Sequence, residues 1–266
     1  DALTCATTYI ADDVPPNDEQ PSSGGARIGL FWVYYYMLSV MGLGATLFVL
    51  PDSVFFNPTS LVQAVKKNRL TGLYLTPSIL NSCLQVLTEE QLAADLATLC
   101  IIWMTGEQVT SKMRARLKRI LPWVRVRNIY STNEAGDNAI EDGDDRPFTV
   151  MDGVKFEVLE PASLSPVPQG GVGALHVRCP WMFAGYWTAE GIGYTASHDE
   201  LFRTGDLVRW FGGNSLAFVS REVSSHIKVR GFKVFPELIE AELIKHPGIE
   251  EAWCAAVGSD GDDTSS

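Results

Sequence analysis

Between residues 45 and 130 the chain alternates short, nearly continuous apolar runs with longer segments whose apolar residues recur every three or four positions. The runs at 45–50, 72–75, 98–104 and 125–130 read as strands buried on both faces, and the segments at 60–68, 78–87 and 111–121 read as helices with one apolar side. Pro77 suits the entrance of the helix at 78–87, and a short helix fits 88–94. Upstream, the long apolar run from Ile28 to Leu50 predicts a buried helix from about Leu30 to Met41 leading into the strand at 45–50. Strands and helices taking turns at these lengths predict an α/β fold, a mostly parallel sheet with flanking helices.

The texture changes twice more. After Asp145 come short alternating runs at 155–160, 173–178, 207–210 and 216–219, broken by Pro and Gly, as in a small antiparallel sheet or β-barrel-like subdomain. From Ser220 the pattern predicts strands at 226–229 and 232–234, a helix at 236–245 and a strand at 249–257, the start of a small α+β C-terminal lobe. The expected organisation is a flexible acidic leading segment (1–27), an α/β subdomain (28–148), a β-rich subdomain (149–219), a hinge with a partial lobe (220–257) and a disordered tail (258–266).

Composition narrows the function classes. With 46% hydrophobic residues and a formal charge of −11, the chain reads as a soluble globular protein whose charge argues against a nucleic-acid or anionic-membrane partner. Acidic residues gather in the leading segment, in an expected loop from Asp137 to Asp145 and in the tail, and a solvated acidic surface explains them without any function. Five cysteines show no paired or CxxC spacing, so neither a metal cluster nor a disulfide framework is expected, and a reducing cytoplasmic setting is the default. The run Ile28–Leu50 carries Ser39, Thr46, three tyrosines and three glycines and stops at Pro51, so it is not expected to span a membrane. The first residues show no basic, apolar and cleavable succession, so a secretory signal is not expected. His176, His198, His226 and His246 share no ligand spacing and read as structural.

Candidate chemistry lies at four places: Met104-Thr105-Gly106-Glu107, Asn128-Ile-Tyr-Ser-Thr-Asn-Glu134, Thr204-Gly205-Asp206, and Arg221 followed by Ile227-Lys-Val-Arg-Gly231. In this order they resemble the motifs of the adenylate-forming (AMP-binding) superfamily, closest to adenylation domains of nonribosomal peptide synthetases and to synthetase-like carboxylate reductases. The resemblance covers about residues 28 to 257 and implies activation of a carboxylic acid with ATP as an acyl-AMP. By that resemblance Tyr130 stacks on adenine, Asn128 and Ser131 line the nucleotide, Asn133 stands where a threonine contacts phosphate, and Glu134 holds Mg2+. Asn133 and Glu134 are then the groups that act on the reacting phosphates. A hard carboxylate oxygen suits magnesium, and a flat ring suits adenine. Gly106 and Glu107 match a turn beside the nucleotide, Asp206 grips both ribose hydroxyls, Arg221 contacts the ribose, and Lys228 opens the mobile lobe. Ser224 is the nearest counterpart of the hinge aspartate. Tyr130 also fits an ordinary strand-end aromatic, and Glu107 and Lys228 also fit solvated or ion-paired surface groups.

The chain departs from the family at Ser131, Asn133, Ala174 and the hinge, where six residues rather than five separate Arg221 from Lys228. Nowhere does it contain a Ser/Thr/Gly-rich loop ending in Pro-Lys-Gly, nor the family's C-terminal lysine. It therefore reads as a partial domain, expected to be inactive by itself. Substrate positions implied by the resemblance are Phe31, Trp32, Tyr35, Tyr74, Trp103, Thr105, Ile129, Asp137 and Asn138. Phe31 replaces the aspartate that binds an α-ammonium, and the aromatic residues suggest a cage for a betaine-like cation; Phe31, Tyr34 and Tyr35 also fit a helical core stripe, the simpler reading. Three readings stay open. The chain is part of an adenylation domain that passes its small acid, an amino acid or a betaine-like one, to phosphopantetheine on a carrier-protein domain; or a fragment of an acyl-CoA ligase that uses CoA; or a non-catalytic nucleotide-binding remnant.

Overall fold

The computed structural model describes residues 25–30, 44–142, 147–189, 191–194, 200–222, 227–229, 232–234 and 236–254. They divide into two compact units, the first made of Asp1–Phe156, Val177–Phe202 and Gly213–Leu216, the second of Glu157–His176, Arg203–Gly212 and Ala217–Ser266.

The first unit is built on five parallel strands: β1 (Arg27–Leu30), β2 (Thr46–Val49), β3 (Gly72–Leu75), β4 (Ile101–Thr105) and β5 (Arg125–Thr132), side by side in the order β2-β1-β3-β4-β5. The sheet continues antiparallel through β6 (Gly136–Asp142) and β7 (Phe148–Val150), and Ser215 and Leu216 pair with β7. The expected α/β fold is the fold found. Helices α1 (Asp52–Phe55), α2 (Pro58–Asn68), α3 (Pro77–Val86), α4 (Glu89–Asp95) and α5 (Ser111–Ile120) connect the parallel strands. Each helix from α2 to α5 begins on a side-chain cap: Asn57, Thr76, Thr88 and Thr110 accept from the backbone N–H three residues on, and Thr88 and Gln91 form a reciprocal capping box.

Alternation along the strands sorts the core into two faces. Leu73, Leu75, Ile102 and Met104 point to the side packed by Leu61, Val65, Leu80, Leu84, Leu92 and Leu117 of the helices. Ile28, Leu30, Tyr74, Ile101, Trp103 and Ile129 form the cluster on the other side, to which no helix contributes among the described residues.

The second unit contains, in the order β13-β12-β9-β8, strands β8 (Lys155–Leu159), β9 (Val172–Arg178), β12 (Phe202–Gly212) and β13 (Ser215–Arg221), parts of which the first unit shares. The two residues between β12 and β13 make that pair a hairpin. Its C-terminal part holds the antiparallel pair β14 (Ile227–Val229) and β15 (Phe232–Val234), then α6 (Pro236–Ile244). A separate antiparallel pair, β10 (Tyr186–Thr188) and β11 (Gly191–Tyr194), belongs to the first unit.

Three sequence expectations are corrected. Residues 28–30 are strand, not the approach to a helix at Leu30: β1 is inserted between β2 and β3, and the absence of a side chain at Gly29 lets Leu70 and Leu73 close over it. The remainder of the expected helix lies outside the described residues. The expected acidic loop from Asp137 is strand β6 as far as Asp142, and two of its acids pair with arginines: Asp142 takes Arg125 at 2.5 Å and Arg127 at 3.4 Å, and Glu141 takes Arg114 at 2.5 Å. No strand forms over Ile249–Cys254, where the Cys254 N–H donates to Glu240 Oε1 of α6 at 2.6 Å instead of to a ladder. No described helix is long and apolar enough to cross a membrane.

Candidate functional site

Strands β5 and β6 form a hairpin whose turn, residues 133–135, carries Asn133 and Glu134. Gly136 closes the turn at φ +60, where a Cβ would lie 3.1 Å from the Trp181 ring. A bulge between Tyr130 and Ser131 alters the pairing just before the turn. Tyr130 is half-buried and meets Phe148 edge to face at 6.2 Å. The segment 128–134 thus carries a ring and, four residues later, a carboxylate on one hairpin.

The base of the hairpin is anchored on the helix-covered face. Asn128, opposite Glu141 in register, donates from Nδ2 to Glu141 Oε2 at 3.1 Å, and Arg114 of α5 pairs with the same oxygen at 2.5 Å. All three side chains are buried. The sequence reading names Asn128 but not Arg114 or Glu141; charges 27 positions apart carry no local signal, and Glu141 falls within the supposed acidic loop.

The turn itself is held by residues 179–186, to which the sequence reading assigns no role at the site. Cys179 Sγ and Trp181 Nε1 donate to Ala135 O at 3.3 and 2.9 Å, and the Phe183 N–H donates to Glu134 O at 2.8 Å. The Tyr186 hydroxyl donates to Glu134 Oε1 at 2.7 Å. Burial pushes the thiols of Cys83 and Cys179 up to about 11, so neither is an effective nucleophile at neutral pH.

Gly106 ends β4 at φ +83, in a turn that favours glycine. Glu107 follows and turns back onto α3: its carboxylate accepts from Ser78 N at 3.0 Å and Ser78 Oγ at 2.7 Å, so it satisfies and electrostatically complements the start of that helix. Among the expected substrate positions, Tyr74, Trp103 and Ile129 fall in one buried cluster, Tyr74 and Trp103 directly opposite in register. Thr105 joins β4 to β5 by donating to Ile129 O at 3.0 Å. Asp137 is buried opposite Ser131. Asn138 is 2% exposed; its Nδ2 donates to Gly136 O at 2.8 Å, while its Oδ1 has no hydrogen-bond partner among the described residues. Phe31, Trp32, Tyr35 and Ser224 lie outside the described residues; Lys228 is described only as backbone, opposite Lys233 in the β14–β15 pair.

In the second unit Asp206 is almost wholly buried on β12. Arg221, largely exposed on β13, donates from Nη1 to Asp206 Oδ1 at 2.9 Å. Thr204 Oγ1 donates to Leu175 O at 3.0 Å and accepts the Asp206 N–H at 3.1 Å. Threonine and aspartate of the T-G-D segment are thus fixed together.

A family model described as AMP-binding enzyme matches residues 28–187. The chain is 27% identical to the glycine betaine reductase ATRR of Emericella nidulans over 80% of this chain and 18% of that protein. It is 26% identical to an L-proline--[L-prolyl-carrier protein] ligase of Streptomyces coelicolor over 97% of this chain and 50% of the ligase, and 25% identical to bacitracin synthase 2 of Bacillus licheniformis over 79% and 9%. ATP-bound MatB from Rhodopseudomonas palustris has the same fold, with a TM-score of 0.73 at 19% identity over 94% of this chain and 49% of MatB. The chain thus spans half or less of these relatives.

Proposed function

Because the chain belongs to the AMP-binding enzyme family, we propose that it is the nucleotide- and acid-binding part of an enzyme that activates a small carboxylic acid as its acyl-adenylate. The observation that carries this reading is the Tyr130–Glu134 turn, which lies inside the matched span and holds a ring and a carboxylate in fixed relation. By the family resemblance Tyr130 is the candidate to stack on adenine and Asn133 to meet a phosphate; in the second unit Asp206, paired with Arg221, is the candidate acceptor of ribose hydroxyls. Glu134 is the candidate ligand for Mg2+, which supplies charge neutralisation at the phosphates. A lone carboxylate fits that ion, because magnesium takes one or two carboxylates and completes its shell with phosphate and water.

In the reaction a carboxylate oxygen of the acid attacks the α-phosphorus of ATP and the bond to pyrophosphate breaks. The thiol of a carrier-bound phosphopantetheine, or of CoA, then takes the acyl group and displaces AMP. A carrier is favoured by the prolyl-carrier ligase among the relatives, and the cytoplasm is the setting that supplies ATP. For the acid, the Tyr74–Trp103 pair and the unpartnered Asn138 Oδ1 support a cationic group, since aromatic faces and a carbonyl dipole both attract positive charge. The kinship with glycine betaine reductase points the same way.

Calorimetric titration of the chain with Mg·ATP, followed by ATP–pyrophosphate exchange with glycine betaine, proline and glycine, tests the reading. Nucleotide binding weakened at least about tenfold by Asp206→Ala is expected, since a lost hydrogen bond to a charged group is worth about 1.5–3 kcal/mol. Exchange by the chain alone is expected to be negligible, because the sequence lacks the phosphate loop and terminal lysine of the resemblance; measurable exchange overturns that part. Equal affinity for glycine betaine and glycine, each titrated calorimetrically into the chain with Mg·ATP, overturns the betaine-like substrate, and absent nucleotide binding overturns the reading as a whole.

A further inference from the structure

The Glu134 carboxylate sits on a three-residue turn, where a side chain ordinarily samples several rotamers. Here two supports, joined through Phe183, restrict that freedom. The first acts on the backbone: Trp181 lies against Gly136, where a Cβ would be 3.1 Å from its ring, and against Gly153, where a Cβ would be 3.4 Å away. From that seat its Nε1–H reaches Ala135 O, while the next but one residue, Phe183, binds Glu134 O through its N–H. The second acts on the carboxylate: the Tyr186 hydroxyl fixes Oε1 at 2.7 Å, and the Tyr186 ring is itself seated edge to face on Phe183 at 4.9 Å, which in turn packs on Phe202 at 5.6 Å. One carboxylate oxygen held by a neutral hydroxyl keeps its negative charge and the remaining lone pairs for a cation.

We propose that Trp181 and Tyr186 are positioning residues for a divalent cation at Glu134, Trp181 by fixing the turn and Tyr186 by orienting the carboxylate. The proposal rests on the reading of Glu134 as the metal-holding group. Magnesium demands near-ideal octahedral geometry, so a ligand held in one orientation binds it better than a mobile one. Neither positioning residue touches the nucleotide in this scheme, so their loss separates metal affinity from nucleotide affinity.

Mn2+ serves as the probe, its binding to the chain with ATP followed by electron paramagnetic resonance, and metal-free ATP affinity measured in EDTA. Tyr186→Phe keeps the ring on Phe183 and removes only the hydroxyl; Trp181→Phe keeps an aromatic ring and removes the N–H. Each is expected to weaken Mn2+ binding about 3- to 10-fold, at or below the 10- to 100-fold range typical of groups that orient metal ligands because Tyr186 is half exposed. Metal-free ATP affinity stays within twofold. Unchanged or tighter Mn2+ binding in both variants, with Glu134→Gln still abolishing it, overturns the positioning role and leaves the reading of Glu134 intact. Mn2+ binding that survives Glu134→Gln overturns both.

Discussion

The two faces of the parallel sheet are made by alternate residues of the same strands, yet they are built differently. On the helix side Leu73, Leu75, Ile102 and Met104 meet aliphatic side chains from α2 to α5. On the other side the intervening positions are Tyr74, Trp103 and Ile129, with Thr105 beside them. The indole of Trp103 fits only because residue 72 is glycine, where a Cβ would come within 2.7 Å of it. Aliphatic packing tolerates exchange of shapes of equal volume, whereas a large ring over a glycine fixes one shape. One face is therefore held by exchangeable aliphatic shapes and the other by rings of one shape, with an exception among the described residues of the helix side: the buried Arg114–Glu141–Asn128 group, which anchors the Tyr130–Glu134 hairpin.

That exception is where the contrast breaks hardest. Arg114→Met leaves the Glu141 carboxylate buried without its guanidinium, and urea unfolding should show a loss of about 3–5 kcal/mol. Adding Glu141→Leu should restore much of it, since the uncompensated charge is then gone. Next comes a paired comparison of faces: Ile102→Ala should cost about 3 kcal/mol and leave acid preference unchanged, while Gly72→Ala should cost about 1–3 kcal/mol and shift it, read by calorimetry with glycine betaine and glycine. Equal shifts in preference from both would erase the distinction between the faces. The smallest effect is at Asp142, whose carboxyl the Arg125 hydrogen bonds hold below the ordinary 3.8. A depressed folded-state pKa stabilises above the ordinary value and ceases to as pH falls through the lowered one. The gap between wild type and Asp142→Asn should therefore be constant near neutrality and close in acid below about pH 3.8, the ordinary carboxyl value.

Much of this is legible in the sequence. Strand Gly72–Leu75 and helix Ser111–Ile120 are located within a residue, the first because its apolar run is short and continuous, the second because its apolar residues recur every three or four positions. The order of motifs points to the family, and the turn bearing Tyr130 and Glu134 stands out as a unit. What stays hidden depends on distance along the chain. β1 looks like a helix approach because two apolar residues about a glycine carry no period, and only its parallel partners on both sides define it. Arg114 and Glu141, and Trp181 with Gly136, meet across 27 and 45 positions, and neither partner is unusual until the other is placed against it. Glu107 is legible as a turn residue, while its grip on Ser78 is not.

That grip has a consequence for recombination among relatives. The caps at Asn57, Thr76, Thr88 and Thr110 give each helix from α2 to α5 its own start signal, which makes the loops before them natural crossover points for chimeric genes. Helix α3, however, is started from two directions, by Thr76 in its own loop and by Glu107 after β4. A crossover between those positions would pair one parent's helix start with the other parent's carboxylate. Residues 76 to 107 are in that sense a single heritable block, longer than any one element within it.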